Sequence, residues 1–179
     1  MTDANADPTD LARAVLVDGF ERIRDGVPSL LDGLGADELR WRPDEDANPI
    51  GWLVWHLSRQ QDAQVADLTG SEPVWTAADW CSRFGLPYEP SAHGWGQSSQ
   101  EVGAFDATDT GLLADYQGAV HNATVAALAG FSAQDYGRVI DDRWDPPVTV
   151  VARLVSVLDD AAKHLGQAEY VKGLVQRRA

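Results

Sequence analysis

The chain has 179 residues, with 14 lysines and arginines against 28 aspartates and glutamates, a formal net charge of −14. That acidity, with no basic stripe anywhere in the sequence, argues against nucleic-acid and membrane-surface partners. The composition, 44% hydrophobic and 23% charged, is that of one globular domain, and the single cysteine, Cys81, favours a reducing, cytoplasmic setting.

The opening residues, MTDANADPTD, lack the basic start and apolar run of a secretory signal, and no run of about 18 apolar residues predicts a spanning helix. The first predicted helix runs from Thr9 to Leu34, capped by Thr9 or Asp10. Its apolar set is Leu11, Val15, Ile23, Val27, Leu30, Leu31 and Leu34, and Pro28 should kink it or end it early. The second opens at Asn48-Pro49, with the proline at its first position, and closes at Gly70. The third runs from Asp109 to Gly130 through Leu112, Leu113, Tyr116, Val120, Val125 and Leu128, and the fourth from Thr149 to Gln176. Shorter helices are predicted at Ala36–Leu39, Thr76–Arg83 and Ser132–Tyr136, and a short extended piece at Gly137–Ile140. Four long helices over one domain of residues 1–179 predict an all-α four-helix bundle. Between the second and third helices, Ser71 to Thr108 holds Trp75, Trp80, Phe84, Tyr88, Trp95 and Phe105. So many large rings in a long connection predict a folded flap packed over one end of the bundle.

Most enzymatic signatures are missing: there is no Gly-rich phosphate loop, no G-x-S-x-G, no H-E-x-x-H and no C-x-x-C. The four histidines, His56, His93, His121 and His164, therefore carry the search for chemistry. On the fourth helix Asp160 and His164 stand i, i+4, on neighbouring turns of one face. His164 is the polar member of a seam formed by Val150, Leu154, Val157, Ala161, Ala168, Val171 and Val175. A second stripe, Val151, Val155, Leu158, Ala162 and Leu165, predicts packing on two sides of this helix. Gly166 follows inside the helix at a cost of about 1 kcal/mol against alanine, which suggests close approach of a neighbouring helix or a ligand. His56 stands mid-way along the second helix beside Trp52 and Trp55.

Two readings of these residues stay open. His56 is a histidine at the boundary of core and solvent, and His164 a buried one satisfied by Asp159, Asp160 or a carbonyl. Alternatively, His56, Asp160 and His164 together offer two nitrogens and one oxygen to a metal, with positions left for water or substrate. That set is compatible with catalytic zinc and with a non-haem iron triad.

The segments NPIGWLVWHLSRQQDAQVADLTG around His56 and DDAAKHLGQAEYVKGL around His164 resemble the DinB-like superfamily of metal-binding four-helix bundles. The branch they resemble most is that of the mycothiol-dependent maleylpyruvate isomerase metal-binding domains. The resemblance implies a metal held by His56, Asp160 and His164, with zinc first and nickel or iron as alternatives. Asp160 departs from the family pattern, where histidine or glutamate is usual. The resemblance also implies a low-molecular-weight thiol co-substrate, in an S-transferase or isomerase acting on a small molecule. The rival is a non-catalytic bundle, a binding or structural protein and possibly a homodimer, in which the polar trio serves structure.

The remaining polar residues have weaker readings. Gln60 and Gln167 lie within reach of the ligands as supporting donors, and Arg59 pairs with a substrate carboxylate or, more simply, with a surface acid. His93 is expected in an exposed loop and His121 at a helix boundary. Cys81 is read as a small buried hydrophobe, and Trp52, Trp55, Trp80 and Trp95 as pocket walls or core.

Overall fold

The computed structural model describes residues 7–178, so the first six residues of the acidic N-terminal stretch lie outside it. In chain order the helices are α1 (Pro8–Leu31), α2 (Ala36–Arg40), α3 (Ile50–Thr69), α4 (Val74–Ala77), α5 (Trp80–Phe84), α6 (Ser99–Gly103), α7 (Thr110–Gly130), α8 (Ala133–Gly137) and α9 (Val150–Val175). Strands β1 (Val139–Asp141) and β2 (Val148–Thr149) form a small antiparallel pair ahead of α9. The fold is an all-α four-helix bundle built on α1, α3, α7 and α9. No described helix is long and apolar enough to cross a membrane.

The ends of these helices follow local chemistry. Asp7, rather than Thr9 or Asp10, caps α1, its carboxylate accepting from the Thr9 N–H at 2.8 Å. Asp109 caps α7 in the same way, and the Thr149 hydroxyl caps α9. Pro49 is the N-cap of α3, so Ile50 takes the first helical position. Helix α1 ends at Leu31, one turn beyond Pro28 and short of Leu34.

The inward face of α1 also differs from expectation. Leu16, Phe20, Ile23, Val27, Leu30 and Leu31 are buried, in steps of four and three, while Leu11 and Val15 are 56% and 71% exposed. The N-terminal turns carry apolar residues on two adjacent stripes, and only the one continuous with Phe20 meets the bundle. The second stripe of α9 holds in part: Leu158 and Leu165 pack against Gly19 and Gly26 of α1, so the helix is packed on two sides, but Val151 and Val155 face solvent. The seam itself is buried from Val150 to Val171, with His164 half-buried within it.

Neighbouring pairs give the helix directions. Gly19 faces Leu158 and Gly26 faces Leu165, so α1 and α9 run parallel. Arg13 near the start of α1 donates to the carbonyls of Leu128 and Phe131 at the end of α7, so those two run antiparallel. His56 of α3 meets His164, while Leu53 shares a cavity with Val171 and Leu174, so α3 and α9 are antiparallel too. Helices α3 and α7 therefore point the same way, and the connection between them must travel back along the bundle. That return explains the length of the flap.

The flap is folded, as its rings suggested. Trp75, Trp80 and Phe84 surround Tyr116 at centroid distances of 5.2, 5.5 and 5.6 Å. Tyr88 and Phe105 close over Trp55 at 5.3 and 6.0 Å. The single helix expected over Thr76–Arg83 is two short ones, α4 and α5, interrupted where Asp79 adopts a left-handed conformation at φ 57°. Cys81 is only half-buried, and Trp95 is 81% exposed rather than core.

Candidate metal centre

His56, Asp160 and His164 converge between α3 and α9, each offering one ligand atom, with these atoms all within 4.8 Å of one another. The register follows from the helices. His56 projects from a stretch of α3 that is buried almost all round, and the i, i+4 pair faces it from α9. The His56 and His164 rings meet edge to face at 4.7 Å, and His164 Nε2 lies 3.5 Å from Asp160 Oδ1.

Both rings are oriented by a carbonyl oxygen. His56 Nδ1 lies 2.5 Å from the His93 carbonyl and His164 Nδ1 lies 2.9 Å from Gln167 Oε1. A nitrogen facing a carbonyl must donate, so each ring carries a proton on Nδ1; the Nε2 lone pair of neutral His56 is free, and that of His164 becomes free when its Nε2 proton, shared with Asp160, is lost. This is the support that metal-binding histidines ordinarily receive. Trp52 stacks on His56 at 4.6 Å and is itself fixed by an indole N–H donated to Gln97 Oε1 at 2.8 Å.

The two rings differ in charge preference. Burial drives the His56 pKa down to about 4 against the pull of the His93 carbonyl, so this ring is neutral at pH 7. The hydrogen-bonding contact with His164 holds the Asp160 carboxyl below the ordinary carboxylate range. Burial opposes charge on His164, but Asp160 and Gln167 together carry its pKa upward. Asp160 Oδ2 is buried and has no hydrogen-bond partner among the described residues. An orphaned carboxylate oxygen beside two available imidazole nitrogens is costly in a closed protein and suits a bound cation. The donor set thus fits a divalent metal.

Gly94 was not foreseen as part of this centre. It has φ +95°, and a Cβ there would strike His56 Nδ1 and lie 2.9 Å from Trp52 Cζ2. The flap can bring the His93 carbonyl onto His56 only because this residue has no side chain. The HGWG stretch was the available signal, since paired glycines around a tryptophan mark a constrained turn.

Other residues stand elsewhere. Gln60 lies one turn past His56, but its oxygen accepts from Gln64 Nε2 at 3.0 Å rather than meeting the ligands. Arg59 is 2% exposed, and its acid is the buried Asp62 at 3.3 Å rather than a surface one; it also donates to the Ala92 carbonyl. His93 contributes its backbone, and burial lowers its pKa. His121 is buried, not at a boundary, and lies against α1 beside Arg24, Glu21 and Asp25. Asp159 is exposed and paired with Lys163. Trp55 and Trp80 are core, and Trp95 borders a separate cavity in the flap.

Residues 19–168 match the DinB superfamily. The chain is also similar to a solved structure, a conserved protein from Enterococcus faecalis, with 30% identity and a TM-score of 0.86. That match covers 96% of this chain and 98% of the other. No curated protein matches. With this span of family similarity over a bundle of this topology, the chain belongs to the DinB superfamily.

Proposed function

We propose that this protein is a divalent-metal-dependent enzyme of the cytoplasm that acts with a low-molecular-weight thiol on a small organic substrate, as an S-transferase or isomerase. The observation that carries the reading is the open polarity of the centre: two imidazoles oriented through Nδ1 beside a carboxylate that keeps one oxygen without a partner among the described residues. His56, Asp160 and His164 are the ligands, with zinc the first candidate and nickel or iron the alternatives. A divalent ion in such a site favours the ionised, nucleophilic form of a thiol or water.

The chain's own residues prepare that chemistry. His93 and Gly94 of the flap hold His56 in the ligating tautomer, and Gln167 does the same for His164. Trp52 covers the His56 ring and limits water on that side. Leu11 and Val15 of α1 and Val151 and Val155 of α9 are exposed apolar side chains on two helices that run parallel, which favours a homodimer.

Elemental analysis of protein purified without chelator tests the metal: about one equivalent is expected, lost in His56→Ala and His164→Ala. Metal near zero, with the variants merely less stable, would remove the proposal in favour of a non-catalytic bundle. Cobalt-loaded protein then tests the thiol. Added thiol should produce a sulfur-to-cobalt charge-transfer band, and its absence would leave a metal site that uses no thiol.

A further inference from the structure

Gly166 sits inside α9, where glycine weakens a helix relative to alanine. Packing does not require it, because a Cβ at this position would meet no atom within 4 Å. The expected neighbouring helix is not there. What the missing side chain borders is a cavity of about 620 Å³ between the start of α3 and the end of α9, within the size range of small-ligand sites.

The walls of this cavity define what it can accept. Leu53 of α3 and Val171 and Leu174 of α9 make it apolar, with Tyr170 standing 68% exposed at its edge. No lysine, arginine or histidine lines it. Its one carboxylate, Asp44, is exposed at the margin and turned to its own loop, Oδ1 accepting from the N–H groups of Asp46 and Ala47 at 3.0 and 2.9 Å. The amides of Asn48 and Gln167 supply the neutral polarity. An anionic ligand would find no countercharge here, in a chain of net charge −14. The cavity is also joined to the ligand trio. Gln167 lines it and places Oε1 2.9 Å from His164 Nδ1, so an occupant would lie one side chain away from the centre.

We infer that this groove binds the uncharged, apolar part of a small organic substrate, and that Gly166 sets how large that part can be. As the substrate side of the metal centre the groove rests on the function proposed above. As a binding site for a neutral apolar group it depends only on its own walls.

Two fluorescent probes of one skeleton test it: neutral N-phenyl-1-naphthylamine and its sulfonated analogue 1-anilino-8-naphthalenesulfonate. The neutral probe should bind one per chain, and the sulfonate about tenfold more weakly or worse. Gly166→Leu fills the groove from one wall and Leu174→Trp from the other. Each should weaken the neutral probe by about tenfold or more while far-UV circular dichroism stays that of the parent. Gly166→Ala, which keeps the helix and adds one methyl, should weaken it by about two- to threefold. Parental affinity in either filled, folded variant, or in Gly166→Ala should neither fold, overturns the inference, as does equal binding of the two probes. Metal content measured on the same samples separates the two proposals. Groove-specific binding without metal sinks only the metal reading, and metal at one equivalent with variant-insensitive probe binding sinks only the groove.

Discussion

Helix α3 carries two polar clusters six residues apart, and they are opposites. Asp62, near its far end, is saturated: Oδ1 accepts the Val74 N–H, and Oδ2 accepts the Trp75 N–H and the Tyr116 hydroxyl, all at 2.8 Å. The Arg59 guanidinium stands 3.3 Å away and lies over the Trp75 ring. Asp160, facing His56, has one oxygen near His164 and the other buried with no partner. A buried acid whose lone pairs are all matched ties parts of the protein together, here the flap to α3 and α7. A half-buried acid that keeps one buried oxygen unmatched beside two imidazoles is prepared for something else. Asp62 is deeply buried and fully matched while Asp160 is half-buried with one oxygen unmatched, and these two differences together separate the structural cluster from the candidate centre.

The largest effect should come from breaking the closed cluster. Asp62→Ala leaves Arg59, Tyr116 and two flap N–H groups without their acceptor, and should cost about 3–5 kcal/mol of folding stability by chemical denaturation. Metal bound per folded molecule should be unchanged. Coupled loss of metal would mean that the two clusters are not separate devices.

Breaking the open cluster should have the reverse signature. Asp160→Ala should lower metal affinity about a hundredfold, roughly 3 kcal/mol, measured by competition with a chelating dye, while metal-free stability barely moves. Asp159→Ala, at an exposed site, should leave affinity as it is. Equal effects from the two would reduce Asp160 to general electrostatics.

Two smaller perturbations act on support rather than on ligands. Gly94→Ala forces a Cβ into the His56 and Trp52 rings at a positive φ, so the flap must retreat. A loss of about 2 kcal/mol in stability is expected, together with weaker metal binding. Gln167→Ala removes the partner of His164 Nδ1 and should weaken metal binding about tenfold without changing the melting temperature of the metal-free protein. A Gln167→Ala variant with full affinity would show that His164 is oriented by Asp160 alone.

These contrasts also separate what was readable from what was not. The α9 seam and the i, i+4 spacing put Asp160 and His164 on one face because helical geometry alone determines that, and His56 was marked by its apolar setting on α3. The inner stripe of α1 was misjudged at Leu11 and Val15, since an apolar residue in an end turn looks the same whether or not a neighbour covers it. Arg59 could not be assigned from its sequence neighbours, because its partner's other ligands come from the flap and α7, far along the chain. The His93 carbonyl was invisible for a different reason. Every residue has a carbonyl, and only the fold decides which one meets a histidine.

Zinc titration of chelator-stripped protein, followed by NMR of the histidine ring protons, tests the central claim most directly, since the chain has only four histidines. The His56 and His164 signals should shift together and stop at one equivalent, while those of His93 and His121 stay near their metal-free positions. Saturation with His56 unmoved, or shifts spread evenly over all four rings, would contradict it.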